Sequence, residues 1–181
     1  MVTKFNNVYI IEERIKKYRE QEKKAEYFSD YLKLAKSVTT DNYLEDKEWS
    51  IKLFKKAENL SKSSSDFLIL GKFVKDDKYL GDKEWARKLF IESENYCRIA
   101  QKELPNKDLS KRSTMRKIFL EIENYGKLSE NVDDREWSER LKNELECFVL
   151  ELNQLLEEKV SRIYQKAESR NNNKKLRNKK K

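Results

Sequence analysis

The sequence predicts an all-α protein, and three observations support that prediction. The 181 residues include 3 glycines and 1 proline, which leaves little turn chemistry for a many-stranded sheet. Charged residues make up 41% of the chain and are rich in Lys and Glu, which favour helices. A 36-residue pattern also occurs twice in tandem, which indicates stacked supersecondary units. We therefore expect a short right-handed α/α solenoid of helix-turn-helix repeats, with a capping N-terminal helix and a long C-terminal helix.

The tandem pattern joins two blocks, residues 29–64 (block 1) and residues 65–100 (block 2), which align without a gap. Eighteen of the 36 aligned positions are identical. A third copy of the most distinctive part reappears at 134–141, where Trp137 follows Trp85 by 52 residues, one period plus 16. We assign the additional residues to a basic connector that contains Pro105. This repetition is the strongest signal in the sequence.

Each block is expected to hold two helices. The first helix begins where a Ser-Asp pair supplies N-cap oxygens, at Ser29-Asp30 in block 1 and at Ser65-Asp66 in block 2. The second helix begins at Asp46 or Asp82, because Asp is a good N-cap and the Glu two residues later complements the helix dipole.

Apolar residues of the second helices form a stripe that faces the core in each copy. A fixed register of tryptophan and leucine is better explained by packing between repeats than by stacking on nucleic-acid bases, which is the functional alternative. The predicted packing residues are Trp49, Leu53, Phe54, Trp85, Leu89, Phe90, Trp137 and Leu141.

The chain is expected to form one helical-repeat domain over residues 1–169, followed by a basic disordered tail over 170–181. Within the domain we predict a capping helix at 7–28, repeats at 29–64 and 65–100, the connector at 101–112, and a degenerate third repeat with a long C-terminal helix at 113–169. The capping helix ends in Lys23-Lys-Ala-Glu26, which matches Lys55-Lys-Ala-Glu58. It covers the open apolar face of the first repeat.

The C-terminal stretch from Asp134 to Glu168 contains no Gly or Pro, and it forms either one long helix or two. Its apolar residues recur at steps of three and four, as in a coiled-coil seam. The seam serves either core packing or self-association into a homo-oligomer. Its members are Trp137, Leu141, Leu145, Phe148, Leu152 and Leu155.

The pattern Asp46-x-x-Trp49-Ser50-x-x-Leu53-Phe54-x-Lys56-Ala57 resembles the second helix of tetratricopeptide-type repeats, particularly the SEL-like subclass. That subclass has units of about this length, an opening Asp, a central aromatic pair and a Lys-Ala end, and Leu70-Gly71 resembles the Leu-Gly near the start of such units. The tryptophans stand where the family pattern has a smaller residue, and the glycines of the intervening loop are missing. The resemblance covers 29–100 closely and 113–150 loosely. It implies a helical solenoid whose concave face binds other proteins.

The net charge of +8 is concentrated in two segments. Residues 98–117 carry +5 and residues 170–181 carry +7, so the rest of the chain sums to −4. Such runs are usually solvated, but they also suit contact with nucleic acid or another anionic surface. The candidate anion contacts are Arg98, Lys102, Lys107, Lys111, Arg112, Arg116, Lys117, Arg170, Lys174, Lys175, Arg177, Lys179, Lys180 and Lys181.

The sequence offers little for catalysis. Histidine is absent, the three glycines are scattered, and the acidic pairs fall where capping and solubility explain them. We therefore expect no enzyme activity, no catalytic or metal-ligating residues and no cofactor. Cys97 and Cys147 are expected to be reduced core residues. With no apolar run long enough to span a membrane and no signal peptide, the chain is expected to be cytoplasmic, with no membrane partner.

Three functions follow from these features. The first is a non-enzymatic adaptor that docks a protein partner on its repeats. The second is an accessory or inhibitor protein that engages nucleic acid or a ribonucleoprotein through the connector and the tail. The third is a self-assembling structural protein that associates through its C-terminal helix.

Overall fold

In the computed structural model, the backbone is described for residues 2–42, 44 and 46–178, and side chains for 8–42, 44 and 46–170. These residues form helices with no strand among them, which confirms the all-α prediction. The helices are α1 (Val2–Lys24), α2 (Phe28–Thr40), α3 (Lys47–Leu60), α4 (Ser64–Lys75), α5 (Lys83–Glu103), α6 (Arg112–Asn131) and α7 (Arg135–Asn178), with a short 3-10 turn at Leu104–Asn106.

The second helix of each block begins at the predicted aspartate. Asp46 accepts a hydrogen bond from the backbone N–H of Trp49 at 2.9 Å, and Asp82 accepts one from the N–H of Trp85 at 2.9 Å. Asp134 accepts from the N–H of Trp137 in the same way, at 3.0 Å. The side-chain oxygen satisfies one of the free N–H groups of the first turn, which is the physical reason for an Asp at this position.

The first helices begin slightly earlier than the Ser-Asp pairs predict. The N-cap of α2 is Tyr27 and that of α4 is Ser63, so the predicted N-cap serines lie within the first helical turn. Asp30 instead lies at the third helical position and accepts from the backbone N–H of Tyr27 at 3.1 Å, as the acidic member of a capping box. Asp66 likewise accepts from the N–H of Lys62 at 3.0 Å.

The helices pack as successive antiparallel pairs. The most extensive contacts lie between α2 and α3, between α4 and α5, and between α6 and α7, while α3–α4 and α5–α6 contacts connect one pair to the next. Close approach within a pair needs small side chains: a Cβ added to Gly71 of α4 would lie 2.5 Å from the Phe90 ring of α5. Leu53, Phe54, Leu89, Phe90 and Leu141 are all buried in one continuous core with Trp137.

The 16 additional residues before Trp137 do not form a single loop. At 21 residues α5 is longer than α3, which has 14, and at 20 residues α6 is longer than α4, which has 12. The segment between α5 and α6, residues 104–111, is anchored by buried Leu104 and Leu109. These two leucines form a second, smaller core with Ile118, Phe148 and Leu152. The predicted connector is therefore a packed corner of the fold whose charged side chains point outward.

The C-terminal stretch is one helix of 44 residues. At a rise of 1.5 Å per residue it is about 66 Å long. The residues of the predicted coiled-coil seam face the cores of the same chain: Leu141 and Phe148 are fully buried, and Leu145 and Leu155 pack against the cores. The seam therefore serves core packing. The helix also continues through residues 170–178, where we expected a disordered tail, and residues 179–181 lie outside the described part of the chain.

Candidate interaction surfaces

A tryptophan–glutamate hydrogen bond joins each helix pair to the one before it. The indole N–H of Trp49 donates to Glu22 at 2.9 Å, that of Trp85 donates to Glu58 at 3.1 Å, and that of Trp137 donates to Glu94 at 2.7 Å. These three bonds link α1 to α3, α3 to α5 and α5 to α7. Each indole therefore uses its only donor within the fold, and this geometry supports the packing role predicted for the tryptophans.

The same bonds place α1 in the 36-residue register. Glu22, Glu58 and Glu94 follow one another at intervals of 36 residues. The sequence match of Glu26 with Glu58 is therefore wrong by one helical turn, because Glu22 occupies the equivalent position and also pairs with Lys56 at 2.6 Å. A gapless extension of the block alignment to α1 could have found this register.

The joint between α5 and α7 contains an ion network. Glu94, almost fully buried, accepts from Arg140 at 2.7 Å and pairs with Arg98 at 2.8 Å. Glu144 pairs with Arg98 at 2.6 Å and with Arg140 at 3.0 Å, and it accepts from the hydroxyl of Tyr125. Burial opposes the charge of Glu144, but the hydrogen bonds from Tyr125 and the two arginines hold the pKa of its carboxyl below the ordinary value.

One of the residues predicted to contact an anion, Arg98, belongs to this network. Burial works against the charge of Arg98, but its hydrogen bonds and the two carboxylates raise the pKa of the guanidinium. Arg98 thus makes ion pairs within the fold. Among the described residues, the α1–α3 joint adds one lysine, Lys56, to its Trp–Glu bond, and the α3–α5 joint shows the Trp–Glu bond without an ion pair. The joint at the start of the longest helix therefore has the most ion pairs of the three.

The other connector bases differ in their surroundings. Lys107 pairs with Glu103 at 2.6 Å, and Lys111 lies 3.8 Å from Asp108. Four bases are exposed and form no ion pair with the described residues: Lys102, Arg112, Arg116 and Lys117.

The connector and α7 bring positive charge to the same end of the molecule. Hydrogen bonds from Ser110 lower the pKa of Asp108, and the charges of Lys111 and of Lys159 on α7 act in the same direction. Arg112, Arg116 and Lys117 lie on the first turns of α6, just after this corner. Arg170 is exposed on α7, and the side chains of the later tail bases, Lys174, Lys175, Arg177, Lys179, Lys180 and Lys181, lie outside the described residues.

An open groove runs between α1 and α3, and the sequence analysis did not identify it. Its apolar residues are Ile11, Ile15, Leu44 and Trp49. Its charged residues are Arg19, Glu22, Asp46, Glu48, Lys52, Lys55 and Lys56. Glu22 and Lys56 pair with each other and Asp46 caps α3, which leaves a surplus of positive charge around an apolar floor.

The outer part of α7 exposes large apolar side chains. Val160 is 50% exposed, Ile163 is 66% exposed and Tyr164 is 70% exposed. They lie beyond Leu155 and Leu156, the last residues of the helix that pack against a core cluster. Single exposed apolar residues are common, but three within five positions of one helix form a patch.

The described residues contain no group of three or more His, Cys, Asp or Glu side chains arranged to hold a metal ion. None of the helices in the described part is long and apolar enough to cross a membrane. Cys97 is buried and Cys147 is exposed, and both are free thiols.

The chain was compared with protein-family models, curated proteins and solved structures, and no match was found in any of the three. Its likeness to tetratricopeptide-type repeats is therefore a resemblance of residues and spacing.

Proposed function

We propose that this chain is a non-enzymatic protein–protein interaction module, built as a short right-handed α/α solenoid of tetratricopeptide-like repeats. In this proposal α1 caps the array, the pairs α2–α3 and α4–α5 are full repeats, and α6–α7 is a third repeat with lengthened helices. The 36-residue interval between the glutamates of the three Trp–Glu joints supports the array, because an equivalent hydrogen bond at each successive pair extends the stack in one direction.

The observation that carries the proposal is the order of the helix contacts: each pair packs within itself and against the next pair along the chain. A stack built in this way is elongated, because each unit contacts only its neighbours. An extended surface of this kind suits the docking of another polypeptide.

The groove between α1 and α3 is the surface we assign to that partner. Its floor combines two isoleucines with the half-buried ring of Trp49, and Lys52 and Lys55 are exposed at its edge. An apolar side chain of a peptide fits the floor, and acidic residues beside it complement the edge. The expected partner is therefore an acidic amphipathic segment of another protein.

Peptide display on the immobilised full-length chain tests this assignment. The groove variant carries Lys52→Glu and Lys55→Glu. The control carries Lys16→Glu and Lys17→Glu, which make the same change of charge on an exposed face of α1 that does not line the groove. We expect the selected peptides to be acidic and amphipathic and to bind the control but not the groove variant. Peptides that bind both variants equally, or a selection that yields none, would contradict the proposal.

A second candidate function is binding of nucleic acid, which the exposed bases at the start of α6 favour. Arg112, Arg116 and Lys117 lie on consecutive turns and make no ion pair with the described residues, and α6 has no acidic residue in its first turn. Lys and Arg side chains in this setting are available to displace counterions from phosphates.

Fluorescence anisotropy with labelled single- and double-stranded oligonucleotides distinguishes this function from the first. The full-length chain is titrated with salt beside a 1–169 truncation and beside Arg112→Gln/Arg116→Gln/Lys117→Gln. Binding that is steep in salt and lost in these variants would favour nucleic acid. Absence of binding at about 50 mM salt, where such contacts are strong, would leave peptide docking as the only candidate.

A further inference from the structure

Val149, Val160, Ile163 and Ala167 are exposed and lie on one face of α7 together with half-buried Leu156, whereas exposed Leu150 and Tyr164 lie to the side of this face. Leu156, Val160, Ile163 and Ala167 follow one another at steps of four, three and four residues, which is the spacing of a single helical face. Val149, seven residues before Leu156, extends the same face inward and is 37% exposed. We call these five residues the outer stripe. It is rotated by about 70° from the buried seam, so the helix can pack against its own domain and still present this stripe.

The charges on α7 are divided between its two parts. Residues 135–158 contain seven acidic and three basic residues, for a net charge of −4. Residues 159–178 contain seven basic residues and one acidic residue, for a net charge of +6. The helix is therefore negative where it packs on the domain and positive where it extends beyond it.

We propose that α7 pairs with α7 of a second copy of this chain, antiparallel and stripe to stripe. The antiparallel orientation places the positive half of each helix along the negative half of the other. With Val160 at the centre of symmetry, residues 149–158 of one copy, which contain three acidic residues and no basic one, lie along residues 162–171 of the other, which contain three basic residues and one acidic one. A parallel pair would instead set the two positive halves side by side.

The inner half of α7 leaves room for this neighbour. Lys142, Glu146, Asn153 and Glu157 flank the stripe and are exposed. The overlap from Val149 to about residue 171 is roughly 35 Å long, or about three heptads. We expect a dimer of modest affinity, with a dissociation constant of about 1–100 µM, because the interface is at the small end of specific interfaces.

Contact with nucleic acid would explain the basic residues in the outer half of α7 but would leave the apolar residues of that half in water. Self-pairing accounts for both features, since the valine and isoleucine side chains are covered and the charges are complemented. The inference does not depend on the proposed peptide groove, which lies on α1 and α3.

Sedimentation equilibrium of the full chain over about 1–200 µM tests the pairing. We expect the mass to approach twice 21.9 kDa, and dimerisation to weaken as salt rises from about 50 to about 500 mM, because salt screens attractive charge pairs. Ile163→Glu buries a carboxylate in the interface and should raise the dissociation constant at least about 30-fold. Gln165→Glu adds the same charge on the opposite face and should change it by less than about 3-fold. Both positions are exposed, so far-UV circular dichroism should be unchanged.

The native cysteines report the orientation. Cys147 is exposed on the side of α7 away from the stripe, whereas Cys97 is buried, so a nitroxide maleimide labels Cys147. In the antiparallel pair the two labelled positions lie about 39 Å apart along the helix axis, whereas in a parallel pair they lie at the same height on opposite outer faces, about 20 Å apart. We expect double electron–electron resonance on the dimer to give a label separation of about 40 Å or more.

Five results would overturn the inference. They are a monomer at about 200 µM, a dimer that tightens with salt, a dimer of Ile163→Glu as tight as wild type, a label separation near 20 Å in the dimer, and association that occurs only when nucleic acid is present.

Discussion

The Trp–Glu joints predict graded losses of stability at equivalent positions. Glu94 lies in the joint between α5 and α7 and is 5% exposed. Its carboxylate accepts from Trp137 at 2.7 Å and from Arg140 at 2.7 and 3.3 Å, and it pairs with Arg98 at 2.8 Å. Glu58, its equivalent one period earlier, is half-buried and accepts from Trp85 at 3.1 Å.

Removing these two carboxylates has different physical consequences. Glu94→Ala leaves a buried indole N–H without an acceptor and takes one of two carboxylates from arginines that are 41% and 45% exposed and keep Glu144, a change that costs about 2–3 kcal/mol. Glu58→Ala removes one hydrogen bond at a site that water can reach, which costs about 1 kcal/mol. For a chain of this length about 1 kcal/mol lowers the Tm by about 2–4 °C, so Glu94→Ala should lower it by about 5–10 °C.

Equilibrium urea denaturation followed by far-UV circular dichroism and by tryptophan fluorescence measures both losses. The m-value should be unchanged, so that a shift of the midpoint reports stability. Glu94→Gln keeps an oxygen for Trp137 but removes the charge, and its loss should fall between those of the two alanine variants. Equal losses for Glu94→Ala and Glu58→Ala, within about 0.5 kcal/mol, would refute the assignment of a strengthened joint.

Three further predictions concern other parts of the fold. Gly71→Ala should destabilise the chain by about 1–2 kcal/mol in urea denaturation, because the clash of the new Cβ with the Phe90 ring outweighs the gain in helix propensity. Phe90→Leu should suppress this loss of stability. A Gly71→Ala variant as stable as wild type would refute the close approach of α4 to the Phe90 ring. Burial raises the pKa of the Cys97 thiol, so a thiol reagent at pH 8 should modify only Cys147 in the native chain and both cysteines in urea, as counted by mass spectrometry. Backbone hydrogen bonds from residues 27 and 26 lower the pKa of Asp30 below 3.8 in the folded chain. The stability that the Asp30 carboxylate contributes is therefore present above pH 3.8 and is lost as the pH falls through the pKa of the folded state. Asp30→Asn should lose less stability than wild type on acidification, and an identical pH profile would contradict this.

The sequence predicts the helical class and the second helix of each block correctly, because these features depend on local chemistry. An aspartate three residues before a tryptophan caps its own helix whatever the remainder of the fold does, and Asp46, Asp82 and Asp134 all do so. The first-helix caps are misplaced for a related reason. Ser29 and Asp30 are both good capping residues, and only the backbone path decides that Asp30 acts from the third helical position.

The sequence predicts the candidate surfaces less well than it predicts the helices. Arg98 and Arg112 both belong to the basic segment 98–117, yet Arg98 lies in an ion network with two glutamates and Arg112 is exposed. Glu144, which makes this difference, lies 46 residues from Arg98 along the chain. Charge counts cannot separate paired from unpaired bases, because the pairing depends on which helices become neighbours.

By itself, the amino-acid sequence determined the helices, the 36-residue period and the register of the tryptophans, since each arises from contacts within a few residues or from direct comparison of two segments. Only the tertiary structure decided which apolar faces are buried within the chain and which remain exposed. The seam from Leu141 to Leu155 is buried within the chain, whereas the stripe through Val160 and Ile163 remains exposed. Both have the same helical spacing. They differ because α6 and the corner at Leu104 and Leu109 cover α7 only as far as Leu156, and the remaining turns of the helix have no neighbour among the described residues.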